Sequence, residues 1–501
     1  MWPVPRNERR DRVFATGMGS NSDRSARALV PVLIFIGTVV AVISSLGAPL
    51  IPAIATTLHS SLADAQWALT VTLLVGAVAT PVVGRLGDGP RRRAVVLAVL
   101  AIVTLGGVLA ALPLGLGWLI AGRGLQGFGL GLTPVAIAVA RQALAGERSR
   151  ATIAALSLTV VAGVGLGYPV AGTIAQFAGV HAAFWTGAGF SLVALLASAV
   201  VLPRSTAAAS RRLDVVGAAL LGVGLVALLL VLGEGGAWGW SSAPALVLAA
   251  GGVAALAAWV AWELWTPFPL VDLHLARSRA ALTAHLAAAL VGLGNYLLLA
   301  SVPILAQSPR GTGAGFGTGI VVAGLILLPF SAASLLGGKL ARILTDRAGR
   351  RLVLPAAALV QAAAFVVFWA TRTQLWQLFL VMAIAGLGVG AAFAAFPAQL
   401  FAAVPVKETG SAMSLNQVLR YIGFAVGSAL AATILAAATT SSSASPGRSG
   451  YATIAVVGLV VCLLTAVVTW LLPGRGPAAD DGIRATHDDE ERSTARPPAR
   501  R

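Results

Sequence analysis

From residue 29 to residue 472 long apolar runs alternate with short polar breaks. Fourteen of these runs reach the ~20 residues that a helix needs to cross a hydrocarbon core of ~30 Å. They fall near 29–52, 65–86, 94–113, 115–140, 151–177, 182–202, 214–233, 243–263, 280–305, 317–343, 352–371, 374–400, 409–437 and 451–472. The pattern predicts an all-α integral membrane protein. An even number of crossings puts both termini on one side. Met1 to Arg27 is polar and arginine-rich, and the apolar run after it is too long, with no small-residue cleavage site, for a secretory signal, so it reads as a retained tail. The stretch after Pro473 balances six arginines against six acidic residues, is rich in Pro and Ala, and reads as disordered.

Composition agrees: 57% of residues are hydrophobic and 11% charged, against about 25% charged in a soluble domain. The net charge of +17 is carried by 33 arginines and two lysines. Thirty of these 35 basic residues fall on the side of the termini, and three, Arg310, Arg372 and Arg448, on the other. That asymmetry predicts cytoplasmic termini and a cell-membrane location. The basic residues form no continuous stripe, so nucleic acid is not an expected partner. Cys462 is the single cysteine, which excludes an intrachain disulfide and a cysteine-based metal site. No glycine-rich phosphate loop, metal-ligand spacing or Ser-His-Asp set is present, so neither an enzyme nor a cofactor is expected.

Residues 81 to 93 form a short basic hairpin, in which Asp88 sits among Arg85, Arg91, Arg92 and Arg93. Such a loop can simply set topology. A degenerate copy, Leu344 to Arg351 with Asp346, Arg347, Gly349 and Arg350, again joins two apolar runs and favours a gate. The copy belongs to a longer repeat: Gly127, Gly129 and Gly131 match Gly386, Gly388 and Gly390 at an offset of 259, and Gly163 and Gly167 match Gly423 and Gly427 at 260. The order is six helices, two extra, and six that repeat the first six. Parallel halves with a site between them at mid-membrane are the build of rocking secondary transporters.

These residues carry a resemblance. Gly84-x-Leu86-x-Asp88 with Arg92 and Arg93 is similar to the loop signature G-x-L-x-D-R-x-G-R-K of the major facilitator superfamily, with Gly89 in place of Arg and Arg91 in place of Gly. Arg123-Gly-Leu-Gln126-Gly127 is similar to its R-x-x-Q-G motif. Gly163 to Gly172 resembles the antiporter motif G-x-x-x-G-P-x-x-G-G, with Tyr168 inserted between Gly167 and Pro169 and Thr173 in place of the last Gly. Trp238-Gly239-Trp240 and Pro269-Leu-Val-Asp272 resemble the linker of the fourteen-helix drug:proton antiporter branch. The resemblance implies a tail (1–28), a six-helix half (29–203), a two-helix linker (204–279), a second six-helix half (280–472) and a tail (473–501). It implies that Asp88 docks on the start of the thirteenth segment (Thr409, Gly410, Ser411), and Asp346 near Ser149 to Thr152, when the protein is open to the outside. It also implies that Arg123 tunes a proton site.

Polar residues inside the runs mark a candidate pathway, since they are costly in a bilayer. They are Ser44 and Ser45 beside the breaks at Gly47, Pro49 and Pro52; Arg123 and Gln126; Asn295 and Tyr296; Gln361; and Asn416, Gln417 and Arg420. None of the eighteen acidic residues falls at the centre of a run, and the first run, where this branch is expected to carry one, reads Val39 to Ser44 without it. Two readings stand open: Arg123 and Arg420 both bond to carbonyls freed by nearby Gly and Pro, or Arg420, with Asn416 and Gln417, faces a central cavity and favours an anionic or strongly accepting group. In the second reading the substrate itself, or a peripheral group such as Asp64 or His285, takes the proton. His59 and His181 read as solvated. Function is expected to be proton-coupled export of drug-like small molecules by a monomer. Export of an anionic metabolite, or a membrane scaffold or sensor that no longer transports, are the alternatives.

Overall fold

Inside hydrocarbon a chain must satisfy its own backbone, and apolar runs of this length do so as helices. A computed structural model describes residues 28–87, 90–144, 146–203, 213–271, 273–274, 278–310, 315–403, 409–439 and 445–472. Both tails, Asp88, Asp272, residues 204–212 and Lys407 with Glu408 therefore lie outside the described residues. Among those described there is no strand, and twelve helices are long and apolar enough to span a membrane. The first run is broken as its Gly and Pro residues predict. Helix α1 (28–45) ends at a bend, a 3-10 turn follows at Ala48–Leu50, and α2 (Ile51–Thr57) resumes, with Pro49 and Pro52 each in a first turn, where a missing N–H costs nothing. Then come α3 (Leu62–Gly87) and α4 (Arg92–Ala111). The run 115–140 is α5 (Leu116–Gly127), a 3-10 turn at Phe128–Gly131 and α6 (Leu132–Ala143), since three closely spaced glycines loosen the α-helix there. The run 151–177 lies in α7 (Gly146–Ala178), which continues through Pro169. There follow α8 (Val180–Val201), α9 (Val215–Trp238), α10 (Ala243–Trp265), α11 (Arg279–Gln307), α12 (Ile320–Ala348), α13 (Val353–Ala370), α14 (Leu375–Ala403), α15 (Thr409–Ala437) and α16 (Arg448–Leu471).

Between membrane helices close backbone approach replaces the hydrophobic effect, and small residues permit it. A Cβ added to Gly122 would lie 2.5 Å from the Gly106 carbonyl oxygen, and one on Gly106 2.6 Å from that of Gly122, so α4 and α5 meet through bare backbone. The repeated glycines make matching contacts. Gly127 faces the Thr72 carbonyl of α3 as Gly386 of α14 faces the Phe330 carbonyl of α12. Gly167 faces Ser45 of α1 as Gly427 faces the Leu293 carbonyl of α11. The repeat is therefore one of packing as well as sequence.

The α9–α10 hairpin turns at Gly239, whose φ of 85° suits glycine, and Asp214 and Ser242 cap its helices. It lies across the seam of the bundle. Trp67 Nε1 of α3 donates to Glu234 at 3.2 Å, and Thr433 Oγ1 of α15 donates to the Leu232 carbonyl at 2.5 Å. Among the described residues, the hydrogen bonds that join α1–α8 to α11–α16 gather at the end of the bundle away from residue 28. Gln66 Nε2 donates to Ser428 Oγ at 3.0 Å, the Thr70 and Ser428 hydroxyls lie 2.9 Å apart, Gln307 Nε2 donates to the Pro49 carbonyl at 2.9 Å, and the Val321 N–H donates to Gln176 at 3.3 Å. Gly324 and Gly172 close the same seam against the backbones of Tyr168 and Ile320.

Candidate functional site

Arg123 is fully buried on α5. Its Nε donates to the Ala68 carbonyl at 3.0 Å, and its Nη1 to the Ile43 carbonyl at 3.0 Å and to Gln126 Oε1 at 2.8 Å. Ile43 stands in the last turn of α1 before the bend, where the helical ladder stops and a carbonyl becomes available. The break in α1 and the charge on α5 thus explain each other, and carbonyl bonding is the role this structure gives Arg123. Phe184 lies 6.0 Å from the guanidinium, while Nη2 is buried with no partner.

Arg420 is placed differently. It is half-buried on α15, stacks 4.7 Å above the Phe393 ring of α14, and makes no hydrogen bond or ion pair among the described residues. A cation over a ring contributes about 0.5–2 kcal/mol, less than the ~2.5–3.5 kcal/mol that an arginine costs at mid-membrane. Its charge is left largely uncompensated. Around it run the contacts Phe393 to Phe396 at 6.0 Å, Phe393 to Phe424 at 6.4 Å, Tyr421 edge-on to Phe424 at 5.7 Å and Tyr296 to Phe424 at 4.5 Å. Gln417 Nε2 donates to the Tyr421 hydroxyl at 3.3 Å. Tyr296 of α11 lies within electrostatic reach of Tyr168 on α7 and Arg123 on α5. Tyr296, Gln417, Arg420, Tyr421 and the phenylalanines thus form one cluster in the second half, with Tyr168 and Arg123 of the first half near Tyr296.

Other expected pathway residues are held as follows. Asn416, one turn before Arg420, turns to α11 and donates to the Ala284 carbonyl at 2.9 Å, and Gln361 of α13 donates to the Val291 carbonyl at 3.4 Å. Ser44 and Ser45 bond back to the Val40 and Val42 carbonyls at 3.0 and 2.9 Å. Asn295 is buried with its Oδ1 unpartnered, as are both ring nitrogens of His285. Asp64 is exposed and forms an N-terminal cap with Ser61 (2.7 and 3.0 Å), which gives it a local structural role.

In the basic hairpin Arg92 reaches the Gly87 carbonyl and Gln142, Arg93 the Ala199 carbonyl, and Arg85 the Pro269 carbonyl beyond the linker hairpin. Open space surrounds Gly84. In the second copy Asp346, Arg347 and Arg350 are exposed, and Gly349 ends α12 at φ 84°, a conformation that suits glycine. Arg91, at the corresponding place in the first copy, has φ −90°, so that loop does without the glycine. Asp346 makes no hydrogen bond or ion pair among the described residues, and Ser149 and Thr152 donate to the Ala140 and Arg148 carbonyls at 3.2 and 2.8 Å. The expected docking of Asp346 is not formed in this structure. Gly163, Pro169 and Gly172 all lie within α7.

Apart from Tyr296, the aromatic residues of this cluster are not marked by the sequence reading, although a signal exists: the chain has four tyrosines, and Tyr168 and Tyr421 lie within electrostatic reach of Tyr296. A second unforeseen group sits at the base of the linker hairpin. The fully buried Glu263 accepts from Trp259 at 2.9 Å and from the Val271 N–H at 3.2 Å, beside Asp214, which accepts from Trp262 at 3.0 Å.

Comparison with known proteins follows this geometry. A family model described as Major Facilitator Superfamily matches residues 33–331 and again 284–491. The chain is 27% identical over 396 residues to a "Multidrug resistance protein B homolog" of Mycobacterium tuberculosis, covering 75% of this chain and 70% of the relative. It is 30% identical to a "Probable actinorhodin transporter" of Streptomyces coelicolor, covering 76% and 68%, and 30% identical to a "Triacylglyceride transporter" of Mycolicibacterium smegmatis, covering 72% and 66%. Among solved structures, a peptide transporter POT in complex with alafosfalin superposes with a TM-score of 0.66 at 16% identity, over 91% of this chain and 99% of that one. That likeness concerns the fold.

Proposed function

Because the chain belongs to the major facilitator superfamily, a family of membrane transporters, we propose that it is a proton-driven exporter of amphipathic, drug-like compounds, working by alternating access as a monomer. The observation that carries this reading is the arginine and aromatic cluster of the second half, near Tyr168 and Arg123 of the first, with the two halves hydrogen-bonded together toward one end. All fourteen apolar segments cross the cell membrane in this reading, and the excess of arginine on the side of the termini makes that side cytoplasmic. The bonded end is then the outer one, and the exposed Asp346 belongs to a state open to the cytoplasm. Rings with few fixed polar groups suit varied flat molecules, in keeping with the multidrug-resistance name of one relative.

The uncompensated charge of Arg420 favours a second reading, in which the preferred substrates carry an anionic or strongly accepting group. Both are tested in inverted vesicles with and without a pH gradient, using an amphipathic anion and a cationic dye. Accumulation that collapses with the gradient is expected. Losing one charge-assisted bond of ~1.5–3 kcal/mol, the Arg420→Gln variant should raise the KM for the anion about tenfold or more and leave the dye nearly unchanged. Equal losses for both would make Arg420 structural, and no gradient-dependent accumulation of either compound would overturn the exporter.

A further inference from the structure

Two of the three basic residues on the arginine-poor side converge on one cavity, although they are 76 positions apart in sequence. The cavity, about 130 Å³, is lined by Leu305, Trp369, Arg372, Thr373, Arg448 and Tyr451, at the junction of α11, α13 and α16. A single water needs ~10–15 Å³ of such space, so a larger polar group fits. Arg372 stands in the short connection after α13, its guanidinium 5.7 Å from the Phe368 ring and its Nη1 buried with no partner. Burial first, and then the neighbouring Arg448, hold its pKa below the ordinary arginine value. Arg448 is the first residue of α16, a 24-residue helix with no side-chain cap, so the positive end of the helix dipole adds to the field. Among the described residues no acidic side chain lines the cavity. Trp369 and Trp376, 57% and 59% exposed, flank this connection, as tryptophans do where a protein meets lipid headgroups.

We propose that this cavity is a binding site for a phosphate group, held by the Arg372 and Arg448 guanidiniums and presented at the membrane surface. Arginine pairs suit this ligand because the planar fork offers two parallel N–H donors to phosphate oxygens. The group reaches the site either as the phosphodiester of an anionic phospholipid or as the free ion. The site is separate from the Arg420 cluster and does not depend on what that cluster transports.

Delipidated protein is titrated with phosphatidylglycerol, with diacylglycerol as the phosphate-free control, and with inorganic phosphate, reading the thermal midpoint and lipid adducts by native mass spectrometry. Phosphatidylglycerol should raise the midpoint and bind as discrete adducts, and diacylglycerol should not. Removing one charge-assisted donor in Arg372→Gln should weaken binding about tenfold, with Arg448→Gln acting in the same direction. A response to phosphatidylglycerol alone assigns the lipid as the source, and an equal response to inorganic phosphate assigns the free ion. If Arg372→Gln cannot be isolated folded, Arg372→Lys carries the test, since it keeps the charge and loses the fork. Identical lipid and phosphate responses in the wild type and in the folded variant overturn the site.

Discussion

Arg123→Ala is expected to abolish measurable transport and to lower stability. The substitution removes three hydrogen bonds, to the Ala68 and Ile43 carbonyls and to Gln126. It leaves Ile43 at the bend of α1 without that donor; the Ala68 carbonyl keeps the Thr72 hydroxyl at 3.1 Å. Opposing this, a buried charge disappears, which returns ~2.5–3.5 kcal/mol on insertion scales. Bonds to a charged donor contribute ~1.5–3 kcal/mol each, so three of them exceed that return and the net effect is destabilising by about 2–4 kcal/mol. Losing the bonds to Ile43 on α1 and Ala68 on α3, which tie both helices to α5, would slow transport about a hundredfold or more. Arg123→Lys should recover little, because one ammonium cannot reach three acceptors set out for a planar fork. Initial rates in proteoliposomes, normalised to monodisperse protein, decide the matter; a wild-type rate for Arg123→Ala would remove Arg123 from the mechanism.

Gly324→Val is expected to leave a folded protein that cannot close the end at which its two halves are hydrogen-bonded together. A Cβ at this position would lie 2.6 Å from the Tyr168 carbonyl oxygen and 3.0 Å from Pro169 Cα, both backbone atoms of the opposite half. Overpacking costs about 1–3 kcal/mol, which depletes the closed state roughly five- to 150-fold. The three nearest atoms to the added Cβ all belong to the opposite half, so expression and size-exclusion behaviour should survive while transport falls at least about tenfold. Gly390→Val is the contrast: its added atoms meet the Ser334 backbone within the second half, and folding itself should fail. Reagent access to a cysteine at Gln307, which bonds across the seam, should rise in Gly324→Val. Unchanged access together with unchanged transport would mean that this seam does not gate.

Much of the fold was legible because bilayer physics is severe. Apolar length fixes a helix, Gly47, Pro49 and Pro52 fix a break, and glycines recurring at a constant offset fix a packing repeat. The site was legible in part. Helical periodicity places Asn416 and Arg420 on one face but does not say which neighbour each side chain finds, and the first bonds to α11 while the second stacks on Phe393. Phe393, Tyr421 and Phe424 look like ordinary apolar residues until two helices bring them together. Arg372 and Arg448 share a cavity through tertiary packing alone, which no local pattern records. The docking expected of Asp346 from the resemblance belongs to a state open to the outside, and a sequence does not say which state a structure takes.

Alternation of the two ends is tested most directly by distances. The one native cysteine, Cys462, is 1% exposed, so spin labels can be introduced in pairs with little background. One pair joins the exposed Arg141 and Arg350 at the end where the basic hairpins lie, and the other joins the exposed Thr57 and Arg310 at the opposite end. In transport-competent protein, imposing low pH or adding a transported compound should shorten the first distance as the second lengthens. Both distances unchanged in a preparation that is transporting would contradict the account.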